Sequence, residues 1–374
     1  SEFETMAVAL PAIKPIVPKM KLVMKRLAAP SPLPSKYTPK LHQSALRSRL
    51  GLDHNRAING IEDVTITVGG TLEFYKHDYL LNQMVHNLNR YGVCLVDLKH
   101  FDNSVFGHRL LLQQNMLNLK PLFGESAFHQ KSDPQTGILC IDPRTPNSVN
   151  VARTDIPHPP HTDGAFQARP EKIVTIGCEH AAIDGGDSTL ICAQSMLERV
   201  LHDIGDYALD KKRVIQALFN KCAIEIGRKL PQNSPKEAGL EELHSKQAVL
   251  SYLHEYDDED DIPSDDFIQH HFHDNDNLRL VYHGNPSYLK SMHADVEEVW
   301  QLMSKYCSEE SNNVFQFKLR PGQIVIIDNS SYLHGRTPYD SKNNLRVLHR
   351  LNFYHNGLLR KSVKLGINKD VVEV

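Results

Sequence analysis

Short apolar runs rich in β-branched residues, each broken by a turn, constrain the fold of this chain more than any other feature. Residues 173–178 and 189–192 are two such runs, separated by the turn Asp184-Gly185-Gly186. Residues 315–319, 324–327 and 345–354 repeat the pattern late in the chain. Residues 64–68 alternate as a strand, and 92–96 read as another. Helical spacing is confined to 79–91, 195–204 and 294–306. Short strands with two or three covering helices predict a mainly β protein, a sandwich or barrel. There is no internal repeat.

Composition narrows the function classes. The hydrophobic fraction of 40% and charged fraction of 23% are those of an ordinary globular chain, and 374 residues can bury a sizeable core. A net charge of −3 carries no nucleic-acid signature. No run of about 18 apolar residues exists, so no transmembrane helix is expected. Cys94, Cys140, Cys178, Cys192, Cys222 and Cys307 are scattered with no C-x-x-C pair, which fits buried thiols in a reducing compartment. The expected location is cytoplasmic. With 21 histidines, any one of them needs geometry behind it before it is given a role.

Residues 1–52 read as a cloning scar, Ser1 to Thr5, followed by a basic, proline-rich arm without acidic residues from Met6 onward. Its prolines rule out a long helix, and the reading is an extended arm, with organelle targeting as the alternative. Residues 53–374 form the folded domain. Within it, 255–266 hold Glu255, Asp257, Asp258, Glu259, Asp260, Asp261, Asp265 and Asp266. Such a run reads as a solvated loop, or as a mobile lid near a cationic substrate.

The chemistry concentrates in Pro159-Pro160-His161-Thr162-Asp163-Gly164-Ala165-Phe166. On a strand, H-x-D puts both side chains on one face, because strand side chains alternate with period two. Two histidines and one carboxylate leave coordination positions open, as non-haem iron(II) oxygenases require. The third ligand is sought in His334, after the apolar strand 324–327 and a polar turn, with Gly335 allowing close backbone approach. A second H-x-D, His293-Ala294-Asp295, opens a helical segment; there, residues two apart diverge by about 200° and do not share an ion. His270, His271, His273 and Asp274 read as a solvated loop.

Beyond His334, residues 345–354 read as one strand with Arg346 and Arg350 on one face and His349 on the other. Two arginines on an apolar strand are costly unless anions meet them. A dicarboxylate cosubstrate or an internal ion pair with Asp or Glu would supply those anions.

Taken together, these residues resemble the taurine dioxygenase and clavaminate synthase-like superfamily of Fe(II)- and 2-oxoglutarate-dependent oxygenases. The likeness spans residues 149–354. It is anchored on His161-Thr162-Asp163-Gly164-Ala165-Phe166, on Gly185-Gly186-Asp187-Ser188, and on Asp328-Asn329 through His334-Gly335-Arg336 to Arg346 and Arg350. It implies a cupin-like double-stranded β-helix, a distorted jelly roll. By this resemblance His161, Asp163 and His334 are the iron ligands. Arg346 pairs with the distal carboxylate of 2-oxoglutarate, Arg350 lies near the metal-bound one, and Ser188 or Thr189 supplies a hydroxyl. The implied reaction consumes O2 and 2-oxoglutarate, releases succinate and CO2, and hydroxylates an unactivated C–H bond of a small, amino-acid-like or other polar metabolite.

Other readings have their own discriminators. The same oxidant gives desaturation, epoxidation or cyclisation if the substrate is placed differently, and a peptide or protein side chain is an alternative substrate. A zinc hydrolase has no use for paired arginines after His334. A non-catalytic cupin-like binding module has no need of intact ligands. The expected partner is a small molecule, with no nucleic acid and no membrane span; the sequence says nothing of oligomeric state.

Overall fold

The computed structural model describes residues 58–72, 77–99, 107–129, 131–144, 154–165, 167, 170–204, 210–229, 242–253, 278–285, 289–308, 311, 313–341, 345–360 and 362–368. The basic arm, the acidic run at 255–266 and the cluster at His270 to Asp274 lie outside the described residues.

In chain order the strands are β1 (Thr65–Gly69), β2 (Val93–Lys99), β3 (Ser126–Ala127), β4 (Leu139–Ile141), β5 (His158–His161) and β6 (Ile173–His180). Then come β7 (Ser188–Cys192), β8 (Ile224–Lys229), β9 (Glu242–Gln247), β10 (Leu250–Tyr252), β11 (Leu278–Leu280) and β12 (Leu289–Ser291). The last five are β13 (Val314–Phe317), β14 (Gln323–Asp328), β15 (Tyr332–Arg336), β16 (Val347–Arg350) and β17 (Asn352–Phe353). Helices are α1 (Asp78–Tyr91), α2 (Gly107–Leu117), α3 (Lys120–Phe123), α4 (Ala193–Ile204), α5 (Lys211–Leu218) and α6 (Ala294–Tyr306).

Two sheets carry the site. The larger runs β1-β2-β14-β6-β16-β4, with β17 and β3 attached, and the smaller runs β13-β7-β15-β5. Alternation along the strands shows why they face each other. On β14, Val325 and Ile327 join Leu190, Phe317 and Tyr332 of the smaller sheet in a shared core. Ile324 and Ile326 point the other way, against Leu81, Met84 and Val85 of α1 and Leu112 of α2. On the smaller sheet, Ile191 and Leu333 turn outward onto Met196 and Leu197 of α4 and Val299 of α6. The result is two facing sheets with helices outside both: the mainly β arrangement expected from the strand pattern, and the jelly roll that the resemblance implied.

Local signals explain the clearest elements. Helix α1 buries Leu81, Met84, Val85 and Leu88 at helical spacing. It stops at Gly92, whose φ of 66° is left-handed and whose N–H donates to the Leu88 carbonyl. Asp210 caps α5, its carboxylate accepting from the N–H groups of Lys212 and Arg213.

The strands and helices depart from the sequence reading at several points. The stretch 345–354 is not one strand: Leu351 interrupts it between β16 and β17, and its N–H donates to the Thr175 carbonyl. The chain also forms α2, α3, α5 and strands β8 to β12, which periodicity did not reveal. In α5 the only buried side chains are Val214 and Leu218, too few to make a visible stripe.

Candidate metal centre

Strands β5 and β15 are neighbours, and His161 sits directly opposite His334. Both project onto the face between the sheets, because His334 alternates with the outward-facing Leu333 on β15. His334 therefore comes from mid-strand rather than from a polar turn. Asp163 arrives differently from expectation. Strand β5 ends at His161, and Asp163 lies in the turn that follows, so the two do not share a strand face. The Thr162 N–H donates to the Tyr282 carbonyl at 3.0 Å, and Gly164 takes a φ of 65° that favours glycine. That reversal folds the Asp163 carboxylate back beside both imidazoles.

The side chains converge. His161 Nε2 is 3.5 Å from Asp163 Oδ1, and His334 Nε2 is 3.8 Å from Asp163 Oδ2. Among the described residues this is the one trio of metal-ligating groups whose donor atoms all come within 4.8 Å of one another, and all three residues are buried. His161 Nδ1 donates to the Pro159 carbonyl at 2.9 Å, which leaves Nε2 with its lone pair toward the gap. His334 Nδ1 is buried without a hydrogen-bond partner. Burial, then the neighbouring His161, pushes the His334 imidazole down to about 3, so it is neutral and able to donate a lone pair. Burial opposes ionisation of Asp163. The Arg350 charge outweighs it and holds the carboxyl well below the usual range. Two imidazoles and a carboxylate fit a divalent iron site with open positions.

The turn is held from behind. Arg350 Nη1 donates to both oxygens of Asp163, at 3.1 and 2.9 Å, and Asn352 Nδ2 donates to Oδ2 at 3.1 Å. Arg350 thus has the internal carboxylate partner that was one of the two expected ways to neutralise it. Arg346 has none. It is buried against Gly186, where a Cβ would lie 3.1 Å from Arg346 Cδ, and its guanidinium stands 5.8 Å from the centre of the Tyr339 ring. Burial, then the like charge of Arg336, pushes it down to about 10.

Ser188 and Thr189 begin β7 opposite Arg336 and Gly335. Ser188 alternates in phase with Leu190, which faces the inter-sheet core that also holds Leu348 between the two arginines. Thr189 packs on Gly335 on the other face. The alternation thus puts Ser188, not Thr189, on the face of Arg346. The second H-x-D behaves as expected: His293 precedes the first residue of α6, and Asp295 lies in its first turn.

Several residues at the site carried no sequence expectation. The His158 and His283 rings lie 4.1 and 5.4 Å from that of His161. Burial lowers both imidazoles, His283 to about 3. The run Pro157-His158-Pro159-Pro160-His161 held a signal for the first, in its two histidines three apart; the isolated His283 held none. Asn329, Asn352 and Glu171 also surround the turn. Burial, then the charge of Asp163, raises the Glu171 carboxyl. Burial lowers Arg279 to about 10.

The model of the family described as taurine catabolism dioxygenase TauD, TfdA matches residues 78–352. No curated protein matches the sequence. Among solved structures, the chain is similar to asparagine oxygenase in complex with Fe(II), 2S,3S-3-hydroxyasparagine and succinate. Identity is 14%, coverage 74% of this chain and 80% of that chain, and the TM-score 0.45. It is similar also to the non-heme iron oxygenase OrfP in complex with Fe and alpha-ketoglutaric acid. There identity is 15%, coverage 71% and 75%, and the TM-score 0.46.

Proposed function

The chain belongs to the taurine catabolism dioxygenase TauD, TfdA family, and from that premise we propose that His161, Asp163 and His334 hold the iron and that Arg346 anchors 2-oxoglutarate. The enzyme is a non-haem iron, 2-oxoglutarate-dependent dioxygenase. The observation that carries the ligand assignment is the convergence of three donor atoms within 4.8 Å between the sheets. When bound, iron(II) supplies open positions for the keto acid and O2, and couples oxidative decarboxylation to oxidation of the substrate.

The chain's own residues bind, orient and exclude water. The Pro159 carbonyl fixes the His161 tautomer. Arg350 and Asn352 orient the Asp163 carboxylate, and Asn329 anchors its backbone. The Arg346 guanidinium, buried without a carboxylate, suits the distal carboxylate of the cosubstrate, and the Ser188 hydroxyl lies on the same face. The shared core of Leu139, Val174, Leu190 and Leu348 walls this region from solvent. The substrate side is polar, lined by His158 and His283, which supports a small polar, amino-acid-like substrate rather than an apolar one.

Succinate release tests the assignment. With iron(II), 2-oxoglutarate and a panel of polar metabolites, the protein should form succinate only when metal and keto acid are both present, and at least one metabolite should accelerate it. Succinate formation that survives replacement of Asp163 and His334 together would refute the ligand set.

A further inference from the structure

Two crossings between the facing sheets run side by side. Residues 181–187 leave β6 of the larger sheet and enter β7 of the smaller one. Residues 318–322 leave β13 of the smaller sheet and enter β14 of the larger one. Strand β14 pairs with β6 and β13 with β7, so the crossings are neighbours.

The first crossing turns sharply, with Gly185 and Gly186 both left-handed at φ of 64° and 66°. Carbonyls in such a turn lack strand partners and need a donor from elsewhere. Lys318, the first residue of the second crossing, supplies it. Its Nζ donates to the carbonyls of Ala182, Ile183 and Gly185, at 3.3, 3.4 and 2.5 Å, and lies 2.9 Å from Asp187 Oδ1. Gln316 Nε2 donates to the other oxygen of Asp187 at 2.9 Å. Four oxygens of residues 182–187 thus converge on one ammonium, which occupies the turn as a tethered cation.

The other side of the same turn is a wall of the Arg346 pocket. A Cβ at Gly186 would lie 3.1 Å from Arg346 Cδ and 3.3 Å from its Nε. The Gly186 N–H donates to the Pro338 carbonyl at 2.9 Å, and the Asp187 N–H donates to Thr337 Oγ1 at 2.9 Å. Tyr339, next in sequence, carries the ring beside the Arg346 guanidinium. Among the described residues no carboxylate pairs with Arg346, so packing against this turn and ring sets where its guanidinium stands.

We propose that Lys318 is a positioning residue for 2-oxoglutarate: its ammonium fixes the Gly185-Gly186 turn, and the turn fixes Arg346 where the cosubstrate meets it. The inference rests on the dioxygenase reading above, and names a residue outside the pocket on which cosubstrate affinity depends.

The test uses the full chain loaded with Mn(II), with 2-oxoglutarate binding read by calorimetry. Lys318→Met keeps the aliphatic stem and loses the ammonium. Lys318→Ala also opens room for a propylammonium ion, which replaces the atoms removed. Both variants should bind Mn(II) as the parent does, because no metal ligand is touched. Both should bind 2-oxoglutarate about fivefold or more weakly, the lower end of ordinary coupling between sites. Propylammonium should restore the affinity of Lys318→Ala in a saturable way and leave the parent unchanged. Tetramethylammonium, charged but without an N–H, should restore nothing. By linkage, 2-oxoglutarate should tighten propylammonium binding to Lys318→Ala by the same factor.

If both variants bind 2-oxoglutarate as the parent does, even with lowered melting temperatures, Lys318 braces only the fold; the inference is overturned and the dioxygenase reading stands. Affinity lost in Lys318→Ala but kept in Lys318→Met, or not restored by propylammonium, comes from the missing stem and overturns it equally. Should Lys318→Ala misfold, the affinity of Lys318→Met decides. If the metal-loaded parent itself does not bind 2-oxoglutarate, the dioxygenase reading fails and this inference falls with it.

Discussion

Asn329 grips the backbone of Asp163 from both sides: its Oδ1 accepts from the Asp163 N–H at 2.8 Å, and its Nδ2 donates to the Asp163 carbonyl at 3.0 Å. The same Nδ2 reaches the Glu171 carbonyl at 2.7 Å. One buried carboxamide therefore fixes the turn that brings the carboxylate to the histidines. Asn329→Ala should leave the ligands intact but loosen their geometry. Metal affinity should drop roughly 10- to 100-fold, the usual cost of losing an outer-shell support. Anaerobic iron titration gives the answer; unchanged affinity would mean the turn holds itself.

Arg346 is buried beside the Tyr339 ring, and among the described residues no carboxylate pairs with it. Arg346→Ala should raise the 2-oxoglutarate requirement at least tenfold, about 1.4 kcal/mol or more. Arg346→Lys should recover part of that, because a point charge lacks the planar fork. A variant that binds 2-oxoglutarate as the parent does would move the cosubstrate elsewhere.

The two H-x-D motifs give a matched contrast. Asp163→Ala should weaken iron binding and abolish succinate formation, since a negative ligand is lost. With Asp163 in place no metal position is vacated for halide, so chlorinated product is not expected. Asp295→Ala removes a helix-end charge and its 2.7 Å pair with the largely exposed Arg213. It should cost roughly 0.3–1 kcal/mol in stability, with activity kept. The reverse pattern in paired titrations and assays would overturn the site.

A second buried network, on the outer face of β16, should set acid stability. Arg109 donates to both oxygens of Glu179, at 2.9 and 3.1 Å, and His349 Nε2 lies 2.7 Å from Oε2. Burial works against ionisation of Glu179, but the His349 and Arg109 hydrogen bonds prevail and hold it at about 2. The folded value is below the unfolded one of about 4.3, so the stabilisation is fully present above that pH and is lost as pH falls through about 2. Glu179→Gln should therefore melt below the parent at pH 7, and the gap should close between pH 4.5 and 2. A gap that stays constant across that range would remove Glu179 from the acid response.

The three groups that converge in the structure, and the two arginines, stand out in the sequence because short-range rules mark them. His161 and Asp163 stand two apart after a proline pair, His334 follows an all-buried strand, and Arg346 and Arg350 stand four apart, the spacing that puts both on one face of an extended segment. Helical periodicity distinguished the second H-x-D at His293 and Asp295, which lies at a helix start. What no local rule carries is how distant segments meet. The turn at Asp163 depends on Asn329, 166 residues away, and Arg350 reaches Asp163 across 187. Arg350 and Arg346 look equivalent along the chain, yet one found a carboxylate and the other did not. Strand period and turn chemistry act over a few residues and so are written in the sequence; the pairing of buried charges is settled only when the sheets pack and exclude water, which is why tertiary structure decided it.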